Sequence, residues 1–363
     1  MLGRTTTPLR ARLLAAAALV AVPAVVLATP GTAEAATTKN RADAAAGWLG
    51  RQLDDDHLIT TTFDGQSYPD YGLTGDTVLA LDAAKVGKAA ARRATRALKA
   101  HVLDYTGGGD ATESYAGAYA KLVVVAAAQG VDPAAFGTGP RKDLLAGLLA
   151  LECGTRTRTD CAATAAGRFS DRSAYGDFSN TIGQSLALIG LERATKRGAS
   201  HQSVGYLLGQ QCPNGSFPEV FDGATCTGSA DSTGFAVQAL VNVGTPAAVA
   251  AATDAGRWLK KRQHANGSLS GNGSRNANST ALAAQAFTAL GRGKAAARAR
   301  HFLRTLQVGC GAKAGVRGQV RYDRDASGDP VRATSQAVPA LARATLADIG
   351  TDGSSRRLPR LAC

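Results

Sequence analysis

The chain has 363 residues, 45% of them hydrophobic, with 41 Lys and Arg against 28 Asp and Glu and a formal net charge of +13. Six cysteines, an even count, point to disulfides and a setting outside the reducing cytosol. The basic balance suits an acidic cell envelope or another polyanion, but aromatics are not interleaved among the bases, which excludes single-stranded nucleic acid as a partner.

In chain order, Arg4, Arg10 and Arg12 precede an apolar run from Leu13 to Ala28, followed by Ala33-Glu34-Ala35. That is a charged n-region, an h-region and a small-residue cleavage site. Residues 1–35 are therefore expected to be a secretory signal peptide. Cleavage leaves residues 36–363 as a single domain of charge +11, secreted, with no second apolar stretch long enough to span a bilayer.

Six helices with a polar, basic face are predicted at about 41–53, 88–103, 140–152, 199–211, 246–263 and 293–307. Between them lie six small, nearly all-apolar helices. Four begin in segments that place Asp or Asn seven residues before a glutamine: Asp177/Gln184, Asp231/Gln238, Asn278/Gln285 and Asp329/Gln336. Two earlier segments are weaker copies. One keeps Glu113 but has Ala120 at the glutamine position, with Lys121 beside it. The other has Asp76 at the glutamine position and Asp70 one residue out of register. A helix that is apolar all round needs neighbours on every side. Six hairpins closed into a ring supply them, so the expected fold is an all-α (α/α)6 toroid of six helical hairpins with parallel inner helices.

Two loops, "QCPNGSF" and "QHANGSL", place Gln211, Gly215 and Phe217, then Gln263, Gly267 and Leu269, at one spacing. The glutamine can bond back to the end of its helix, and the glycine permits a positive φ. These residues resemble the squalene cyclase and prenyltransferase repeat family, whose repeats carry Q-x3-G-x-W. The chain is also similar to the α-domain of cobalamin carriers of the intrinsic-factor type. Through "FDGQSYPDYGLTGDTVLAL" it is similar to a group of exported actinobacterial repeat proteins. The resemblance implies the toroid and leaves the activity open.

Six cysteines allow 15 pairings, and local spacing favours Cys153–Cys161 and Cys212–Cys226, leaving Cys310–Cys363. No C-x-x-C and no nearby histidine suggests zinc. In "DRDASGD" the twelfth position of a calcium loop is Thr334, where a Glu is required. No metal and no cofactor is expected.

The inner-helix starts place Asp70, Glu113, Asp177, Asp231, Asn278 and Asp329 around one mouth. Asp and Asn are preferred N-caps, and capping explains the whole ring; Asp231 is expected to cap α-helical N–H groups while its free oxygen faces a pocket. The glutamines lie about 10 Å deeper at 1.5 Å per residue, where a buried amide needs partners. The inner helices offer the aromatics Tyr115, Tyr119, Phe235 and Phe287. Phe63, Tyr68, Tyr71, Tyr105, Phe169, Tyr175, Phe178, Phe217, Phe221 and Tyr322 lie in the loops and form an expected aromatic rim.

The resulting expectation is an exported toroid that binds a small molecule or glycan without transforming it. Its ligand residues would be Glu113, Tyr115, Asp177, Gln184, Asp231, Gln238, Asn278, Gln285, Asp329 and Gln336. The alternatives are an enzyme on a terpenoid or glycan using Asp231, and an envelope-associated module using its basic surface. Against the cyclase motif D-x-D-D-T, residues 229–233 retain only Asp231 and Thr233.

Overall fold

The computed structural model describes residues 36–363, except 108–111, 138–142, 157, 222 and 224. The expected leader at 1–35 lies outside the described residues. The outer helices are α1 (Arg41–Gly50), α3 (Lys88–Ala100), α6 (Leu144–Leu149), α8 (His201–Gly209), α10 (Pro246–Arg262) and α12 (Gly293–Leu306). The inner helices are α2 (Tyr71–Ala83), α5 (Ala116–Gln129), α7 (Thr181–Ala194), α9 (Ala230–Val243), α11 (Ala277–Ala289) and α13 (Pro330–Ala342). A short α4 (Val102–Thr106) follows α3. Each inner helix packs on the next, and α13 returns to α2, so the ring closes. The fold is an (α/α)6 toroid.

The two helix classes follow from composition. On α3 only Ala90, Ala91, Ala94, Thr95 and Leu98 are buried, one stripe beneath a basic outer face. On α5 nearly every residue is buried, because the helix is walled by its outer partner and two inner neighbours. Small residues let these helices approach. A Cβ on Gly183 would stand 3.5 Å from Gly117 Cα, and one on Gly234 would stand 3.0 Å from the Leu282 backbone. Neighbouring inner helices are therefore in close contact at these levels.

Glutamines latch successive outer helices. Gln211 Nε2 donates to the Gly215 and Ala251 carbonyls, and Gln263 Nε2 to those of Gly267 and Ala295. Gln307 Nε2 repeats the pattern on Gly318 and Arg41, joining the last outer helix to the first. The sequence spacing concealed this third latch, because a loop held by the Cys310–Cys363 disulfide is inserted between Gln307 and Gly318. All three expected disulfides are present.

A second clasp fixes each loop on its inner helix. The backbone N–H groups of Ile59, Phe217, Leu269 and Val320 donate to the hydroxyls of Thr74, Thr233, Thr280 and Thr334, each at 2.9 Å. Phe169 does the same to Gln184 Oε1 at 2.9 Å. Three antiparallel hairpins lead into α2, α9 and α11: β2–β3 (Thr60–Phe63, Gln66–Pro69), β4–β5 (Phe217–Pro218, Gly228–Ser229) and β6–β7 (Leu269–Gly271, Ser274–Asn276). Parallel strands β1 (Thr37–Thr38) and β8 (Arg360–Leu361) join the two ends of the described chain.

The segment after α13 crosses the C-terminal ends of the inner helices. Arg193 donates to the Leu346 and Ile349 carbonyls, Lys85 Nζ to Gly350 at 2.7 Å, and the Leu346 N–H to Gln238 Oε1 at 3.0 Å. This strap covers that end of the ring, so the axis is approached from the N-terminal mouth.

Candidate functional site

The mouth is built from the first turns of the inner helices, and the caps there differ from expectation. Asp70 caps α2 and Asp329 caps α13. Elsewhere the cap is another residue: Asn180 for α7, Ser229 for α9 and Asn276 for α11. The α5 N-terminus is served by Asp171, whose Oδ1 accepts from the Ala116 N–H at 2.7 Å. Capping therefore does not explain Asp231 or Asn278, each the second residue of its helix, nor Glu113 or Asp177, which lie in loops.

Glu113 accepts from Tyr115 Oη at 2.7 Å and from the Ala174 N–H at 2.9 Å, a loop tie that engages both residues. Asp177 accepts from Ser170 Oγ at 2.5 Å and pairs with Arg168 at 2.9 Å. Burial raises its pKa, but hydrogen bonds from Ser170 and Ser179 outweigh burial and hold the carboxyl below its ordinary value.

The glutamines separate for the same reason. Counted from the caps, Gln184 is the fourth residue after Asn180, Gln238 and Gln285 are the ninth after Ser229 and Asn276, and Gln336 is the seventh after Asp329. One spacing on paper is three registers in space. Gln184 turns outward, donating to Gly167 and Ser203 carbonyls. Gln238 holds the strap. Gln285 Nε2 donates to the Gln336 carbonyl at 3.4 Å, while Oε1 of each is buried with no partner among the described residues.

Along the inner helices, partial exposure falls on first-turn residues and on those four later: Gly72 and Asp76, Gly117 and Lys121, Asp231 and Phe235, Arg332 and Gln336. Residues i and i+4 share one helix face, so these positions line a central cup. One wall is charged. Lys121 Nζ pairs with Asp76 Oδ1 at 2.7 Å and donates to the Gly72 carbonyl at 3.3 Å, while Arg332 Nη2 pairs with Asp70 Oδ2 at 3.2 Å. Tyr105 is packed beside them, its phenol pKa raised by burial. The signal for Asp76 and Lys121 was in the sequence, at the anomalous glutamine positions of the first two hairpins. Arg332 carried none.

Asp231 stands across the cup, and its Oδ1 is buried without a hydrogen-bond partner among the described residues. Burial raises its pKa above the ordinary carboxylate value, the Ser279 hydroxyl lowers it, and the charge of Glu219 adds to the rise. Asp231 also lines a groove of about 890 Å³ that runs outward along the disulfide-bonded loop 212–226, past Glu219, Gln210, Trp258, Arg262 and Asn272. Arg262 lies 4.3 Å from the Trp258 ring centroid. Sequence spacing alone gave no sign of Glu219, Trp258 or Arg262 as neighbours of Asp231.

The expected aromatic rim divides. Phe169, Phe217 and Phe221 are buried, whereas Phe63, Tyr68, Tyr175 and Phe178 project at 71%, 49%, 80% and 62% exposure. Among the described residues, no group of three His, Cys, Asp or Glu side chains is placed to hold a metal, and no helix is long and apolar enough to cross a membrane.

No protein-family profile matches the chain, and no curated protein matches it by sequence. Solved structures match it by fold. A type II terpene cyclase from Scytonema is 15% identical with a TM-score of 0.60, covering 84% of this chain and 96% of the cyclase. An unsaturated glucuronyl hydrolase specific for heparin is 14% identical at TM-score 0.59, with coverage of 84% and 96%. A protein from Actinoplanes is 16% identical at TM-score 0.56, with coverage of 84% and 98%. The shared property is the fold, which carries enzymes of two unrelated chemistries.

Proposed function

We propose that the protein is an exported, carbohydrate-active toroid that takes an oligosaccharide into the groove ending at Asp231, with Asp231 as proton donor. One observation carries this reading: the Asp231 carboxyl is not spent on capping, has a buried oxygen with no partner among the described residues and a raised pKa, and lines a groove of about 890 Å³. A carboxyl whose pKa burial raises is suited to general-acid chemistry. The acid would protonate the leaving glycosidic oxygen while water attacks the sugar carbon. Glu219, exposed in the same groove, would take the proton of that water.

The groove lining favours a sugar over an isoprenoid. Gln210, Glu219, Thr225, Thr227, Ser270 and Asn272 offer hydrogen bonds, and Trp258, the one aromatic among the described lining residues, is stacked under Arg262. Carbocation chemistry needs several free aromatic faces. Arg262 suits a carboxylate or sulfate on the sugar, a substrate class in keeping with the heparin-specific hydrolase that shares the fold. Three disulfides support an extracellular setting.

Binding without turnover is the second reading. It is favoured by Ser229, Ala230 and Ser232 around Asp231, which provide no second carboxylate in that turn. The experiment is incubation of the mature chain with unsaturated and saturated acidic oligosaccharides, neutral glycans and geranylgeranyl dihydroxybenzoate, with products read by mass spectrometry. Turnover of an acidic oligosaccharide that disappears in Asp231→Asn at unchanged melting temperature supports the enzyme. Glycan binding without turnover supports the second reading, and action on the isoprenoid alone defeats both.

A further inference from the structure

A second cavity, of about 750 Å³, lies at the opposite end of the inner helices, where α2 and α13 finish and α1 begins. Lys39, Arg41, Lys85, Arg304 and Arg343 all line it. The single acid among its described lining residues, Asp43, is half-buried and accepts from Thr38 Oγ1 at 3.4 Å. None of the five bases is ion-paired among the described residues, although Lys85 donates to the Gly350 carbonyl and feels the charge of buried Asp82. Positive charge here is concentrated and largely uncompensated. Buried Arg300 is held below the usual guanidinium range by burial and then by the charges of Arg343 and Arg304.

The backbone supplies an independent observation. Where α5, α9 and α11 finish, the left-handed residue is glycine: Gly130, Gly244 and Gly291. Where α2 and α13 finish, it is Lys85 at φ 58° and Arg343 at φ 62°, and both line this cavity. Glycine reaches that conformation freely, whereas a residue with a Cβ is strained there. Strain retained at a site is a pointer to function. A cation near a helix C-terminus is favourable to the helix dipole. That accounts for two of the bases, and not for Lys39 and Arg41 at a helix N-terminus or for Arg304.

We propose that this cavity binds phosphate groups of a base-free polyanion, a polyol- or sugar-phosphate polymer. Guanidinium and ammonium donors converge from α1, α2, α12 and α13, which suits a tetrahedral group with oxygens in several directions better than a planar carboxylate. Five bases serve more than one phosphate. Among the described residues no aromatic side chain lines the wall to stack on a base. The site is independent of the Asp231 groove and of any turnover there.

The test is calorimetric titration of the mature protein with a glycerol-phosphate oligomer, inorganic phosphate and heparin at low salt. The variant Arg304→Gln/Arg343→Gly removes two cations and relieves the strained φ. Arg92→Gln/Arg96→Gln, on the exposed face of α3, removes the same charge elsewhere. The expected result is affinity for the oligomer falling about tenfold or more in the first variant, with melting temperature unchanged or higher, and little change in the second. Equal losses in both variants would reduce the binding to diffuse surface charge and overturn the site. Inorganic phosphate binding as tightly as the oligomer would overturn the polymer, and heparin binding more tightly would overturn the phosphate.

Discussion

Asp82 offers a direct measure of what burial costs this ring. It sits near the end of α2, fully buried; Oδ2 accepts from Gln129 Nε2 at 2.5 Å, and Oδ1 has no partner among the described residues. Burial lifts its pKa from 3.8 to about 6, against the opposing pull of the Gln129 hydrogen bond and of Lys85, Lys88 and Arg193. At about 1.36 kcal/mol per pH unit, the ionised form is penalised by about 3 kcal/mol in the folded state. The sign follows from the raised value. The contribution to stability is fully present below pH 3.8 and is lost as pH rises through about 6. Asp82→Asn keeps an acceptor for Gln129 and abolishes the charge. At pH 8 it should be more stable than wild type by up to about 3 kcal/mol, and the difference should close near pH 4. Urea unfolding of both proteins at pH 4, 6 and 8 measures this. A difference of the same size at every pH, or a destabilised variant at pH 8, would refute the argument that desolvation governs this carboxyl.

Three further outcomes follow from the geometry. Ser229→Ala removes the true cap of α9 and should cost about 1 kcal/mol in denaturant unfolding, whereas Asp231→Asn should cost nothing or add stability; the reverse order would restore the aspartate as the cap. Gln184→Ala strands the Gly167 and Ser203 carbonyls and the Phe169 N–H in a buried site, with an expected loss of about 2–4 kcal/mol. Gln336→Ala should cost visibly less in the same assay, since its side-chain Oε1 has no partner among the described residues to lose. Removing Cys310–Cys363 opens a covalent loop of 53 residues. The loss should be about 4 kcal/mol, with limited proteolysis cutting first in the strap after α13.

The sequence by itself determined the toroid. Apolar helices without a polar face have to be enclosed, and six of them alternating with basic amphipathic ones leave a closed ring as the solution. Cys153–Cys161, Cys212–Cys226 and the bonds of Gln211 to Gly215 and Gln263 to Gly267 were equally legible, because they are local contacts set by spacing along the chain, and Cys310–Cys363 followed by elimination. The site was not. Asp177/Gln184, Asp231/Gln238 and Asp329/Gln336 share one spacing, yet the loops before α7, α9 and α13 cap at different points and rotate each pair to a different face. The cap fixes a helix's phase, and the residue that caps is chosen by how the incoming strand meets the helix. Only the closed ring decided which side chains meet. It set Asp76 against Lys121 across 45 residues and Asp70 against Arg332 across 262. It also left Asp231, freed from capping by Ser229, with a buried oxygen at the end of a groove.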